Sequence, residues 1–294
     1  MNASLKPHRN TIIVEQAKIL SHDAFAGEQY IMRVQAPDIA KRSQAGSFVH
    51  IQCDSALAMR RPISIMRVDK ESGWVEFLYK VFGEGTRLLA QRKVGDILDL
   101  FGPIGLPFKL DTEHTRPLLI GGGVGIPPMI YLADEIRNHK HITPFVIMGS
   151  EVPFPFQPRP STIMLPGMPD GAIACMPLLE DWGIASRLTS TQGYPGCFDG
   201  FVTDLARNYI NALDEQQRRQ IEIFSCGPTI MLKAVAQLAK EFELPCQVSL
   251  EEHMACAVGG CAGCTVMINT KTGPAMKRVC VDGPVFDAHS VQWN

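Results

Sequence analysis

Four cysteines near the C-terminal end form the chemically most specific pattern in the chain. Cys256, Cys261 and Cys264 are separated by four and then two residues, and Cys280 follows further along. This C-x4-C-x2-C…C spacing is typical of a plant-type [2Fe–2S] site, whose irons take soft, anionic sulfur ligands. The intervening glycines let the loop bend tightly around a compact cluster. The four cysteines are therefore predicted to hold a [2Fe–2S] cluster.

A zinc site and a disulfide pair are the alternatives. Structural zinc sites usually contain two C-x2-C pairs, and only Cys261 and Cys264 have that spacing here. A Rieske centre would require paired Cys–His motifs, which are absent, so His253 is expected to pack against the cysteine loop. The remaining cysteines lack partner spacing and are expected to be ordinary thiols.

Two glycine-containing loops have the form of phosphate-binding turns. Residues 121–125 (Gly-Gly-Gly-Val-Gly) follow an apolar run and precede a helical pattern, as does the tripeptide Cys226, Gly227, Pro228. Such loops present backbone N–H groups and a positive helix end to an anion. The G-x-G-x-x-G fingerprint fails because Ile126 takes its last position, and a tight packing turn stays an alternative for each loop. Together the loops predict a nucleotide crevice.

A second phosphate-binding constellation is predicted in the N-terminal third. Arg61 precedes Pro62 in an extended segment, and a guanidinium can bind phosphate through two parallel hydrogen bonds. Gly85 and Thr86 open a short helical pattern whose N–H groups could hold another phosphate oxygen. A solvated surface arginine and an ordinary loop are the alternatives.

The elements that must position these residues fall into two patterns. Short apolar runs punctuated by glycine predict a small antiparallel barrel over residues 11–110. The predicted strands cover 11–17, 29–34, 47–52, 63–68, 74–81 and 97–100. Beyond residue 115, strands at 117–120, 145–148 and 221–225 alternate with helices at 127–139 and 229–242. This alternation predicts a doubly wound parallel sheet.

Three domains follow from these patterns. We expect a β-barrel at 1–112, a nucleotide-binding α/β domain at 113–248 and a small cysteine-bearing domain at 249–294. Residues 151–182 are rich in proline and weak in periodicity, and are predicted to be an irregular insertion of unassigned role.

Composition excludes some function classes. The net charge of −2 over 294 residues gives no basic excess for nucleic acid, and no apolar run is long enough to span a bilayer. The first ten residues are polar and lack the apolar core of a secretory signal. Nine cysteines without such a signal favour a reducing compartment, so the cytoplasm is expected.

Taken in order, these motifs resemble the ferredoxin reductase-like flavoproteins, and among them the electron-transfer subunits of two-subunit dihydroorotate dehydrogenases. The resemblance covers nearly the whole chain and is most specific in residues 249–256 and in 279–286 (Val-Cys-Val-Asp-Gly-Pro-Val-Phe). One departure is Ala257, where glycine is common in the family.

The resemblance implies FAD, a [2Fe–2S] cluster and NAD(H) as cofactors, with NAD or NADP left open. FAD would contact one set of residues: Arg61, Pro62, Ile63, Ser64, Leu78, Tyr79, Lys80, Gly85 and Thr86. The nicotinamide cofactor would contact a second set: Gly121, Gly122, Gly123, Val124, Gly125, Cys226, Gly227 and Pro228. Ser64 beside the flavin and Cys226 beside the nicotinamide are the candidate catalytic residues. Glu151 could bind ribose hydroxyls, although a surface glutamate is the plainer interpretation.

The resemblance also implies a partner, the flavin-containing catalytic subunit that oxidises dihydroorotate in pyrimidine biosynthesis, in a hetero-oligomer expected to be a heterotetramer. One alternative is the same redox core serving as the small subunit of a ferredoxin:NADP oxidoreductase or sulfide dehydrogenase. A second alternative, from a different class, is a non-enzymatic, zinc-stabilised interaction module.

Overall fold

A closed antiparallel barrel occupies the N-terminal third of the chain. The computed structural model describes residues 12–293. The strands lie in the order β1-β2-β5-β4-β3-β6 around the barrel. Their bounds are β1 (Ile13–Phe25), β2 (Gln29–Gln35), β3 (Phe48–Gln52), β4 (Arg61–Asp69), β5 (Trp74–Lys80) and β6 (Ile97–Ile104), with helices α1 (Pro37–Arg42) and α2 (Glu84–Ala90) between them. The predicted barrel is confirmed.

Strand β5 shows how tightly the barrel is covered. All five residues from Val75 to Tyr79 are buried, and the exposed Lys80 ends the strand. Because successive side chains point to opposite faces, both faces of β5 are covered. The first strand is longer than the sequence indicated, since it continues past residue 17 to Phe25 and bends at an irregular pairing near Ile19. Residue 11 of its predicted range lies outside the described residues.

The second unit is a mostly parallel sheet in the order β11-β8-β7-β12-β13-β16. Its strands are β7 (Arg116–Gly122), β8 (Phe145–Gly149), β11 (Ala185–Thr189), β12 (Ile221–Cys226), β13 (Cys246–Ser249) and β16 (Val285–Asp287), of which only β16 runs antiparallel to its neighbour. Leu118, Leu119 and Ile120 of β7 are all fully buried, because the central strand is covered on both faces.

Helices cover both faces of this sheet, which confirms the doubly wound architecture. A turn of 3-10 helix at Gly123–Gly125 leads into α3 (Ile126–Ile136), which packs between the sheet and the barrel. On the opposite face lie α5 (Val202–Asn211), the short α6 (Glu215–Arg218) and α7 (Thr229–Glu241). The helix predicted at 127–139 ends earlier, at Ile136, and α5 had no sequence prediction.

The proline-rich insertion is partly regular. It contains the two-residue strands β9 (Arg159–Pro160) and β10 (Ala174–Cys175), which pair with each other, and the short helix α4 (Pro177–Asp181). The prediction of irregular structure throughout 151–182 was therefore too strong.

The C-terminal segment folds back onto both larger units. It contains the hairpin β14 (Thr265–Thr270) and β15 (Gly273–Arg278), the short helix α8 (Val279–Asp282), and then β16, which pairs with β13. Because β16 completes the nucleotide sheet, the C-terminal segment shares a sheet with the preceding one. The predicted boundaries near 112 and 248 remain predictions. No helix between residues 12 and 293 has the length and apolar character needed to cross a membrane.

The linker after β6 makes a glycine-dependent contact with the C-terminal segment. Gly105 has φ +98°, and a Cβ there would clash with the ring of Pro284. We expect Gly105→Ala to lower the free energy of unfolding by about 2–3 kcal/mol, from steric overlap plus backbone strain. Gly95→Ala is the matched control, since Gly95 has φ +95° but open space around it. Urea unfolding measures both, and equal losses would contradict the proposed contact.

Candidate functional site

The four cysteines of the predicted cluster site come together as two pairs. The Sγ atoms of Cys264 and Cys280 lie 3.3 Å apart. In the other pair, the backbone N–H of Cys261 donates to Cys256 Sγ over 3.4 Å. The backbone N–H of Val279 donates to the Cys264 carbonyl over 2.9 Å, which brings α8, and Cys280 with it, to the loop. Two separate chain segments thus supply one sulfur site.

This pairwise arrangement fits a two-iron cluster, in which each iron takes two protein ligands. Within residues 12–293, no group of three or more His, Cys, Asp or Glu side chains is arranged around a single metal position. The donor set of four thiols in two pairs supplies the four thiolates that a [2Fe–2S] cluster takes.

The local environment treats the two pairs differently. Partial burial acts to raise the pKa of Cys256, but backbone N–H groups of the loop, including that of Cys261, donate to its sulfur and lower the pKa to about 7. Burial, together with the hydrogen bond to Cys264, raises the pKa of Cys280 to about 12. Because iron binds thiolates, occupation of the site displaces the proton of Cys280.

Arg278, which the sequence analysis did not single out, ties the two cysteine segments together. Its Nη1 donates to the carbonyl of Gly259 in the loop over 3.1 Å. Its Nε and its backbone N–H both donate to Asp282 Oδ2, over 3.0 Å and 2.9 Å. No spacing rule identifies such a residue, because its role depends on a loop and a helix meeting in space.

Two alanines of the cysteine loop adopt a backbone conformation that favours glycine. Ala257 and Ala262 both have φ +54°. The departure from the family at residue 257 is therefore a strained substitution that the loop tolerates, and the methyl group of Ala257 is buried.

A cavity of about 430 Å³ lies where the barrel, the sheet and the C-terminal segment meet. Six predicted flavin contacts line it: Pro62, Ile63, Ser64, Leu78, Tyr79 and Lys80. The opposite wall is residues 249–254, immediately before the cysteine loop, and was not predicted. His253 belongs to this wall and is exposed to the cavity. The sequence had predicted instead that His253 packs against the cysteine loop. We call this space the barrel cavity.

The remaining predicted flavin contacts lie outside the barrel cavity and pack against each other. A Cβ at Gly85 would lie 2.6 Å from Nε of Arg61, so the absence of a side chain there lets the guanidinium lie close to the start of α2. Thr86 Oγ1 accepts from the backbone N–H groups of Phe82 and Gly83, at 2.9 Å and 3.3 Å. A guanidinium beside a glycine-bearing helix start is a cradle that suits a pyrophosphate.

A second cavity, of about 460 Å³, opens at the carboxyl ends of β7, β8, β11 and β12. Gly122, Gly123, Val124 and Pro228 line this sheet cavity, as does Glu151. Its other walls were not predicted and comprise strand ends and helix starts: Gly149, Ser150, Val152, Thr189, Ser190, Thr191 and residues 200–203. Folds with a parallel sheet bind nucleotides at the carboxyl ends of their strands. The residues that follow β8 and β11 could therefore have been predicted as cavity walls from the ends of those two strands.

The two predicted nucleotide loops support each other beneath the sheet cavity. Gly121, Gly125, Cys226 and Gly227 do not line it. Instead a Cβ at Gly125 would clash with the Cys226 carbonyl and lie 2.5 Å from the backbone nitrogen of Gly227. The absence of a side chain at Gly125 lets the two loops pack backbone to backbone. This contact holds in place the neighbouring loop residues that form the floor of the cavity.

The two cavities adjoin, since Lys80 and Val124 line both. Below their junction, Cys226 is fully buried, and its Sγ lies 4.0 Å from Oε1 of Glu251. Burial and the nearby Glu251 carboxylate raise the pKa of the Cys226 thiol. Glu251 sits within the crevice, where its surroundings raise the pKa of its carboxyl, and part of the residue is exposed to solvent. Cys226 is therefore a neutral thiol at pH 7, reached from the barrel cavity through Glu251.

Comparison with known proteins matches these features to one family. Residues 251–292 match the family model described as the iron–sulfur cluster binding domain of dihydroorotate dehydrogenase B. The electron transfer subunit of dihydroorotate dehydrogenase B (NAD(+)) from Desulforamulus reducens is 32% identical over 95% of this chain and 98% of its own length. That from Caldanaerobacter subterraneus subsp. tengcongensis is 33% identical over 94% of this chain and 97% of its own.

The chain belongs to the dihydroorotate dehydrogenase B electron transfer subunit family. Solved structures share the fold. An NADH-dependent reduced ferredoxin–NADP oxidoreductase, studied for flavin-based electron bifurcation, is 26% identical, with a TM-score of 0.76 over 95% of this chain and 90% of that chain. A ferredoxin reductase of carbazole 1,9a-dioxygenase, at 21% identity and a TM-score of 0.61 over 80% of this chain and 67% of that chain, shares the fold.

The strained alanines of this family member's cysteine loop give a stability prediction. Ala262 is exposed, so Ala262→Gly relieves its strain without loss of packing and should raise the free energy of unfolding by about 0.5–1 kcal/mol. Ala257→Gly relieves the same strain but removes a buried methyl group, so we expect a change near zero. Urea unfolding of the full chain distinguishes the two, and a loss of stability in Ala262→Gly would show that the loop is not strained there.

Proposed function

We propose that this chain relays electrons between a dihydroorotate-oxidising catalytic subunit and NAD(H), through a [2Fe–2S] cluster and FAD, in the cytoplasm. The observation that carries the proposal is the order of the three sites. The sheet cavity adjoins the barrel cavity, and the wall of the barrel cavity continues directly into the cysteine loop. Nicotinamide, flavin and cluster bound at these places would follow one another along one path.

We assign FAD to the barrel cavity and to the Arg61–Gly85 cradle. Pro62, Ile63, Ser64, Leu78, Tyr79 and Lys80 would surround the ring system, while Arg61, Gly85 and Thr86 would hold the pyrophosphate. When bound, FAD supplies the coupling between two-electron hydride chemistry and the single-electron chemistry of an iron–sulfur cluster. Ser64 presents a hydroxyl on the cavity wall and would orient the ring by a hydrogen bond.

We assign the nicotinamide cofactor to the sheet cavity. Gly122, Gly123, Val124 and Pro228 would approach it directly, while Gly121, Gly125, Cys226 and Gly227 hold the floor in place. Val124 and Lys80, at the junction of the cavities, would exclude water between the two cofactors. The proposed role of Cys226 is to close this junction from below as a neutral thiol.

Cys256, Cys261, Cys264 and Cys280 would ligate the cluster, and Arg278 would keep their two segments in register. The partner is the catalytic subunit named in the family, in a hetero-oligomer such as a heterotetramer. The predicted division into 1–112, 113–248 and 249–294 fits these three sites, with β16 as the strand that fastens the third unit to the second.

A second candidate function is supported by one observation. The NADH-dependent reduced ferredoxin–NADP oxidoreductase matches over 95% of this chain with a TM-score of 0.76, so the same redox core could serve a ferredoxin-linked partner. The identity of 32% to a dihydroorotate dehydrogenase B subunit over the same share of the chain favours the first candidate.

Reconstitution tests the proposal. The loaded chain, mixed with a dihydroorotate dehydrogenase B catalytic subunit, should form a stable complex that reduces NAD⁺ with dihydroorotate as donor, whereas neither chain alone should do so. A chain that reacts with NADH but never associates with that subunit, and instead reduces ferredoxin, would transfer the assignment to the second candidate.

The cluster assignment predicts a specific loss in Cys280→Ser. Removing one buried thiolate should abolish the red-brown absorption and the bound iron, because the second iron loses half of its protein ligands. Cys197→Ser is the matched control, since Cys197 is a partly buried thiol outside the site. Iron analysis and the visible spectrum of anaerobically purified proteins measure both variants. Retention of wild-type iron in Cys280→Ser would contradict the assignment.

The loop contact beneath the sheet cavity predicts a separable effect on nucleotide binding. Gly125→Ala forces the two loops apart, so the dissociation constant for NADH should rise about tenfold or more while FAD content stays unchanged. Gly171→Ala, at a glycine surrounded by open space, should leave both unchanged. Anaerobic titration of the flavin absorption with NADH gives the constants, and equal affinities in the two variants would place the nicotinamide elsewhere.

A further inference from the structure

We propose that the proline-rich insertion, residues 151–182, is a brace that sets the width of the crevice between barrel and sheet, with Trp182 as its principal positioning residue. The effect on NADH binding rests on the function proposed above, whereas the mechanical role does not. The insertion meets the barrel or its core at three places along its length.

The first anchor lies where the insertion leaves β8. Val152 packs onto the turn between β1 and β2, where a Cβ at Gly27 would lie 2.7 Å from the Cβ of Val152. The side-chain amide of Gln29, which is 3% exposed, donates to the carbonyl of Pro153 over 2.7 Å and to that of Ala26 over 2.9 Å. One buried amide therefore joins the barrel turn to the insertion.

The middle of the insertion contributes to the core that the barrel shares with α3. Phe154 is buried there, and its ring centroid lies 5.4 Å from that of Phe156, which packs against the same core. Aromatic pairs at such separations add to the stabilisation from buried area alone.

The far anchor is the ring of Trp182, which lies close to two guanidinium groups. Arg137, at the end of α3, lies 4.6 Å from the ring centroid, and Arg67 of the barrel strand β4 lies 5.9 Å from it. Both distances are within the range of cation–π attraction. A tryptophan of the insertion thus joins an arginine of the barrel to an arginine of the α/β unit.

The barrel arginine is itself held in place. Arg67 also lies 5.3 Å from the ring of Trp74 and 3.3 Å from a carboxylate oxygen of Glu76. Arg33 contacts the same ring at 4.1 Å and the other oxygen of Glu76 at 2.7 Å. The alternation of guanidinium groups and rings leaves Trp182 little freedom to move relative to the barrel.

The brace and the sheet cavity share structural elements. Glu151, Val152 and Gln29 of the first anchor line that cavity, and α3, whose end carries Arg137, begins at the turn Gly123–Gly125 that forms its floor. None of the brace residues from 151 to 182 lines the barrel cavity. Loosening the brace should therefore alter nicotinamide binding and leave the cluster and FAD in place.

The test compares Trp182→Ala with Arg159→Ala in the full-length chain loaded with FAD and cluster. Arg159 lies in the same insertion, and its guanidinium contacts Asp181 and the Pro177 carbonyl, both within that insertion, so it is the matched control. Hydrogen–deuterium exchange should become faster in residues 151–182 and in β2 of Trp182→Ala, and remain at the wild-type rate in Arg159→Ala. The NADH dissociation constant should rise about two- to fivefold in Trp182→Ala only, the size of effect that one or two cation–π contacts give.

Further variants keep the test decisive. Trp182→Phe retains an aromatic face and should restore most of the NADH affinity, which a general loss of stability would not. If Trp182→Ala does not fold, Arg137→Gln removes the nearer of the two cation–π contacts and should give the same two readouts. Exchange rates in 151–182 and β2 that are equal in Trp182→Ala and Arg159→Ala would overturn the brace. Failure of the wild-type chain to bind NADH would overturn the proposed function, and the exchange comparison would still decide the brace.

Discussion

The structure depends on one constraint, that sulfur atoms from two distant chain segments must meet as pairs beside the barrel cavity. The loop of residues 256–264 cannot do this alone, because the fourth cysteine arrives on α8, after a complete hairpin. The hydrogen bond from Val279 to Cys264 joins α8 to the loop. Arg278 adds a second link, because it contacts both Gly259 of the loop and Asp282 of α8. The pairing of β16 with β13 then fixes the segment against the sheet, so that residues 249–254 form a wall of the barrel cavity.

That constraint also explains the tolerance of local strain. Two alanines in the left-handed region cost stability, as does burying the thiols of Cys264 and Cys280 next to each other. Binding of iron by thiolates would return more free energy than these features cost, since the energy of metal binding contributes directly to folding. A loop that is strained without metal becomes a rigid ligand set with it.

The sequence predicted the features whose signals are local. Cysteine spacing, glycine runs at strand ends and the change from strand-only to alternating patterns all lie within short windows. These signals predicted the barrel and the parallel sheet correctly, and they selected four cysteines that the fold brings together in pairs. The wall at 249–254, the hydrogen bond from Arg278 to Gly259 and the placement of His253 arise from contacts between separate segments of the chain. The structure of the insertion was the hardest part to predict from sequence. Its contacts are made with Gln29, Arg67 and Arg137, all of which lie outside it.

The most direct test of the account is the measurement of iron, acid-labile sulfide and zinc in the anaerobically purified full-length chain. The paired thiolates predict two irons and two sulfides per chain with no stoichiometric zinc, together with an FAD that NADH bleaches. A colourless protein that carries one zinc and no labile sulfide would contradict the central claim.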